Sequence, residues 1–177
     1  MGSDMFQHDF GADGLALRLK VKLSADQMAV DPVVQRIMEL VRKTECATGD
    51  KEDAIELALT EALVNAIVHG AKCDPSKSVE CDVVCDEKRG MVIVVRDPGC
   101  GFNPKSIPSP VTGQNIYSSH GRGIFLINQL MDKVRFHKNG TEIHMVKHLQ
   151  PARRRKAQAG KKTAQKRATK TTRRRTK

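Results

Sequence analysis

Leu15, Leu17, Leu19, Val21 and Leu23 alternate without interruption with Ala16, Arg18, Lys20 and Lys22. A strict period of two sends successive side chains to opposite faces of a strand, one apolar and one basic. Such a strand belongs in a sheet that is buried on one side and wet on the other, and its basic outer face suits a sheet edge. Two helical stripes follow that can cover the buried side. Val33, Val34, Ile37, Met38 and Val41 recur at helical spacing behind Asp31-Pro32, where Asp31 is expected to cap the helix and Pro32 to open it. Ile55, Ala58, Leu59, Ala62, Leu63, Ala66 and Ile67 form the apolar face of a second helix, expected from near Asp50 to Gly70, with Gly70 as its C-cap.

Val79, Cys81, Val83 and Cys85 alternate as another strand, and Met91–Val95 returns as a buried one. Residues 103–120, with three prolines and several serines, show no periodicity; so long a connection tends to be functional. A helix from Arg122 to about Asp132 and two strands around an Asn139-Gly140 turn close the pattern. The expected fold is α+β: a two-layer sandwich of a mostly antiparallel mixed sheet, about five strands, covered on one face by about three helices. Residues 1–13 read as a flexible arm, 14–150 as the domain, and 151–177 as a disordered basic tail.

The net charge of +11 belongs to that tail. Residues 151–177 hold 13 of the 31 Lys and Arg and no acid, leaving residues 1–150 near −2. The tail suits nucleic-acid phosphates bound without sequence reading, though it lacks aromatics for base stacking; an anionic membrane or an acidic partner would also serve. The longest uninterrupted apolar run, Met91–Val95, is far too short to cross a bilayer, so no transmembrane segment is expected. Five cysteines without a disulfide-like framework, and no secretory leader, lead us to expect reduced thiols and a cytoplasmic protein. Cys81 and Cys85 share a strand face, but no second pair completes a zinc site.

Three short segments carry chemistry. Glu61 and Asn65 stand one turn apart at the border of the second helix's apolar stripe. A carboxylate there can take a proton from an attacking hydroxyl, and a carboxamide oxygen can fill one position of a magnesium shell completed by phosphates and water. Asp97 ends a buried strand and is followed by Gly99 and Gly101, which let backbone approach a planar ligand; the Asp can accept a hydrogen bond from an exocyclic amine. Gly121-Arg122-Gly123 opens a helix whose free amides form an anion site, with Arg122 a charged fork for a terminal phosphate. Singly, each also has a plain reading: a border polar pair, a D-P-G turn, a helix entry with a solvated Arg. His69, on the face of Glu61 and Asn65, reads as a histidine suited to the helix C-terminal dipole, and His144 and His148 as surface residues.

As a set, E-A-L-x-N-A-x-x-H-G from Glu61, D-x-G-x-G-F from Asp97 and G-x-G from Gly121 resemble the ATP-binding domain shared by gyrases, histidine kinases, heat-shock chaperones and mismatch-repair proteins. The likeness is closest to the compact branch of bacterial anti-sigma-factor serine/threonine kinases and spans roughly residues 15–149. The resemblance implies ATP and Mg2+, with Glu61 as general base, Asn65 as magnesium ligand and Asp97 as adenine reader. It further implies that Gly99 and Gly101 line the adenine and ribose side. Gly121, Arg122 and Gly123 would hold phosphates at the hinge of a lid formed by 103–120. The implied function is phosphorylation of a Ser or Thr on an anti-sigma-factor antagonist together with sequestration of a sigma factor, in a homodimer. Two other readings stand beside it: a non-catalytic ATP-gated protein-binding switch, and a nucleic-acid-associated protein acting through 151–177.

Overall fold

The structure is a computed structural model, and it describes residues 6–9, 15–86, 90–103 and 122–149. Six strands, β1 (Phe6–Asp9), β2 (Leu15–Ser24), β3 (Ser78–Asp86), β4 (Gly90–Arg96), β5 (Lys133–His137) and β6 (Glu142–Lys147), form one sheet in the order β1-β2-β3-β4-β6-β5. Every pairing among these described strands is antiparallel, as a mostly antiparallel sheet requires, and no parallel pair occurs among the described residues. Part of the expected arm is therefore a strand: Phe6–Asp9 pairs with Arg18–Val21 and covers the edge that β2 would otherwise present.

Three helices, α1 (Val30–Lys43), α2 (Asp50–Asn65) and α3 (Arg122–Leu130), lie on one face. Alternation on β2 sorts as the sequence requires. Leu17, Leu19, Val21 and Leu23 are buried, whereas Arg18, Lys20 and Lys22 are exposed. Val79, Cys81 and Val83 of β3, Met91, Ile93 and Val95 of β4, and Ile143 and Met145 of β6 continue the buried face. Val33, Val34, Ile37 and Met38 of α1 and Ile55, Leu59 and Leu63 of α2 close over it, giving one aliphatic core without an aromatic at its centre.

Local starts and stops differ from expectation in ways that matter. Asp26, not Asp31, is the cap: its side chain accepts from Met28 N (3.0 Å) ahead of a 3-10 turn that leads into α1, leaving Asp31 in the first helical turn. α2 does not run regularly to Gly70. After Asn65 it widens into a π turn, Ala66–Gly70, closed by Ala71 N donating to Ala66 O (2.8 Å). Gly70 is not left-handed; the left-handed residues are Lys72 and Cys73, beyond it. The β5–β6 connection is broader than an Asn-Gly turn, with Lys138, Asn139 and Gly140 all left-handed (φ 50°, 56° and 88°).

Cys46, between α1 and α2, is joined to Cys85 at the end of β3, with Cα atoms 6.2 Å apart, which corrects the expectation of five reduced thiols. Cys73, Cys81 and Cys100 keep free thiols, and burial pushes that of Cys81 up to about 12. No helix among the described residues is long and apolar enough to cross a membrane.

Candidate functional site

The α2 stripe that packs on the sheet leaves Glu61 and Asn65 half-buried at its border, one turn apart and directed at the start of α3. A methyl group on Gly123 would sit 2.6 Å from Glu61 Oε2, 3.0 Å from Asn65 Nδ2 and 3.4 Å from Asn65 Oδ1. Glycine at 123 is what lets the α3 backbone reach both polar ends. The acid and the amide thus meet the N-terminal turn of a helix, whose unpaired amides favour negative charge.

Asp97 follows the last residue of β4, and the ladder continues through it: Asp97 N donates to Thr141 O (3.0 Å). Its Oδ1 accepts from Gly99 N (2.8 Å). Burial raises the Asp97 carboxyl above its usual range, and the Gly99 amide opposes that rise. Gly70 lies directly beneath this carboxylate, so near that a Cβ there would overlap Asp97 Cγ and Oδ1. A Cβ at Gly99 would meet the same oxygen (2.7 Å) and Gly70 O (2.7 Å). Two glycines therefore pack against one carboxylate oxygen and against each other.

Between these groups lies a cavity of about 300 Å3, at the lower end of the roughly 300–1,000 Å3 typical of small-molecule pockets. Ala62 of α2, Ala66 of the π turn, Val95 of β4, Ile124 and Ile127 of α3 and Ile143 of β6 give it apolar walls, with Asn65 and Asp97 among its polar lining. A further wall comes from the segment after Asp97. Gly101 is left-handed (φ 77°) and approaches the Asn139 carbonyl so closely that a side chain there would overlap it. Phe102 N donates to Asn139 O (2.7 Å), and the Phe102 ring meets Phe136 edge-on at 5.4 Å. A mostly apolar cavity with one half-buried carboxylate fits a heterocycle bearing an amine, from which the carboxylate can accept a hydrogen bond.

Of the residues singled out from sequence, Asn65, Asp97 and Gly101 line the cavity. Glu61 and Gly123 meet beside Asn65. Gly99 lies behind Asp97 and shapes the carboxylate instead of lining the cavity. Arg122 is exposed at the first residue of α3. Gly121 and most of the expected lid fall outside the described residues. Sequence reading missed Gly70, assigned there to a helix cap, and His69, which lines the cavity, as do Lys72, Phe102, Phe136 and Gly140. Gly70, His69 and Phe102 had a signal, each standing inside a motif. Among the described residues no group of three or more His, Cys, Asp or Glu could hold a metal by itself.

Comparison with known proteins agrees with this geometry. Residues 23–147 match the histidine kinase-like ATPase domain. An anti-sigma F factor of Bacillus cytotoxicus is 32% identical over 107 residues, covering 58% of this chain and 73% of that protein. One from Anoxybacillus flavithermus is 31% identical over the same shares. An anti-sigma F factor of Clostridium perfringens is 29% identical over 136 residues, covering 73% of this chain and 85% of its own length. With its family match spanning most of the fold and its glycine-packed carboxylate facing an Asn-bearing helix, the chain belongs to the histidine kinase-like ATPase family.

Proposed function

We propose that the chain is an ATP-dependent regulatory serine/threonine kinase and anti-sigma factor, phosphorylating an anti-sigma-factor antagonist and sequestering a sigma factor. The observation that carries this reading is a cavity with both Asp97 and Asn65 in its lining, and Glu61 beside Asn65 at the first turn of α3. The similarity to proteins named anti-sigma F factor supports the choice of partners.

In this reading Asp97 accepts a hydrogen bond from the adenine amine, and its partial burial makes that bond selective, because leaving a half-buried carboxylate oxygen without a donor is costly. Gly101, Phe102 and Gly140 hold the base and sugar side, while Gly123 and Arg122 face the phosphates from the start of α3. The Asn65 carboxamide oxygen would be this chain's ligand to a magnesium ion, which would offset phosphate charge. Bound Mg2+-ATP supplies the transferable phosphoryl group. Glu61 takes the proton from the acceptor hydroxyl as that oxygen bonds the γ-phosphorus, the β–γ bridging P–O bond breaks and ADP departs.

The test is titration of Mg2+-ATP into the full chain beside Asn65→Ala, then incubation of wild type and Glu61→Ala with γ-labelled ATP and a candidate antagonist protein. Magnesium-dependent binding lost in Asn65→Ala, with label transferred by wild type and not by Glu61→Ala, is the expected result. Equal binding by wild type and Asn65→Ala would attribute the ATP to the tail cations and overturn the site. Binding without any transfer, and partner capture unaffected by Glu61→Ala, would leave an ATP-gated switch.

A further inference from the structure

We propose that Glu142 is a positioning residue for the cavity, holding through Lys138 the left-handed turn that fixes the Phe102 wall. Glu142 is the sole buried charged residue among those described, 7% exposed at the start of β6. It faces the side of the sheet away from the helices, opposite the cavity. Its two oxygens accept from Arg96 Nε (2.7 Å), Lys138 Nζ (2.9 Å) and His144 Nε2 (2.6 Å). Arg96 is tied in turn to Asp82 (2.7 Å) and immediately precedes Asp97.

The Lys138 contact is the informative one. Lys138 and Asn139 are consecutive non-glycine residues in the left-handed region, a conformation that persists only where surroundings impose it. Thr141 Oγ1 donating to Lys138 O (2.9 Å) holds the turn from its far end. Glu142 holds it through the Lys138 side chain, and a second time through His144, whose ring packs at a tilt against His137 with centroids 4.4 Å apart. What this turn offers to the cavity's wall is the Asn139 carbonyl, which receives Phe102 N (2.7 Å) and abuts Gly101. Gly140 packs against Phe102 in the same way: a Cβ there would meet Phe102 O at 2.6 Å and the ring at 2.8 Å. A β4–β6 register clamp would need Arg96 alone; the tether to a largely exposed lysine on a left-handed residue serves the turn.

That the cavity takes ATP rests on the proposed function, so the test has two readouts. Lys138→Met keeps the apolar stem of an exposed side chain and should fold as wild type; Glu142→Gln keeps shape and removes charge. Amide exchange at Phe102, followed by NMR in the nucleotide-free full chain, reads the wall directly. Mg2+-ATP titration reads the site. We expect Phe102 exchange and ATP dissociation to rise about fivefold in Lys138→Met, the upper range for a part-exposed pair. They should rise about tenfold or more in Glu142→Gln, while Lys138→Arg restores both. Unchanged Phe102 exchange in both variants would overturn the proposal and reduce Glu142 to a strand clamp. Faster exchange in a protein whose wild type binds no ATP would uphold the positioning role and overturn the ATP reading instead.

Discussion

Gly70 lies against the carboxylate of Asp97, and no side chain fits between them: a Cβ on Gly70 would overlap Asp97 Cβ, Cγ and Oδ1. The π turn at Ala66–Gly70 delivers this glycine, and β4 delivers the Asp. Neither motif positions the carboxylate alone. Gly70→Ala must displace Asp97 or the turn, an overpacking that costs about 1–3 kcal/mol. Denaturant unfolding should show that loss, and ATP affinity should fall with it; an unchanged pair of values would mean that the carboxylate moves aside at no cost.

Asp97→Asn should separate stability from binding. Burial holds the Asp97 carboxyl above its ordinary range. The folded state therefore binds more protons than the unfolded one between the two values, and this group's contribution to stability falls as pH rises through that window. At neutral pH the cost of the half-buried charge is fully present. Asparagine keeps an oxygen for the Gly99 amide without the charge, so the variant should melt no lower than wild type at pH 7. Its advantage should shrink below about pH 4, where the wild-type carboxyl protonates in both states. ATP affinity should nevertheless drop about ten- to a hundredfold, because an amide group replaces the second acceptor oxygen. Melting curves at two pH values and one titration check all three outcomes.

Glu142 has the opposite sign. The Lys138 hydrogen bond, followed by those from His144 and Arg96, holds its carboxyl down to about 2. Its stabilisation is present above the ordinary carboxylate value and is lost as pH falls toward 2. Wild type should thus lose stability steadily through that acid range, and Glu142→Gln should show a shallower acid limb from a lower plateau. Parallel limbs would show that other carboxylates govern the acid transition.

Much of this was legible before the fold. The alternation at 15–23 demanded a half-buried strand, and β2 is one. The spacing of Glu61 and Asn65 put them on one helix face, and both meet Gly123. What escaped depends on tertiary approach. A glycine ending a helical pattern reads as a cap, yet Gly70 is glycine because Asp97 presses on it. The π turn has no periodic signature, and Gly99 serves the carboxylate instead of the cavity wall. Strand β1 is four residues long and polar, too short to declare itself. Phe136 and Gly140 join the site only because β5 and β6 pair beside β4.

The Cys46–Cys85 link was equally invisible, since its partners are 39 residues apart and belong to different layers. In the chain-entropy account a loop of that size is worth about 4 kcal/mol. A reducing agent should lower the denaturant midpoint of wild type accordingly and leave Cys46→Ser/Cys85→Ser unmoved. An identical midpoint with and without reductant would mean that the two thiols stand side by side unbonded.

The sharpest prediction for the chemistry uses Glu61 and Gly123 together. Glu61→Gln preserves the side chain's shape at the α3 turn and removes its basicity, so ATP binding should persist. Phosphotransfer should fall about 10²–10⁴-fold, the usual contribution of a general base. Gly123→Ala acts on the same pair from the other side, placing a methyl 2.6 Å from Glu61 Oε2 and 3.0 Å from Asn65 Nδ2. It must push α3 or both polar ends apart, so it should weaken Mg2+-ATP binding as well as transfer. A Gly123→Ala protein with wild-type ATP affinity would show that the first turn of α3 moves away when nucleotide arrives, and that the contact with Glu61 belongs to the nucleotide-free state alone.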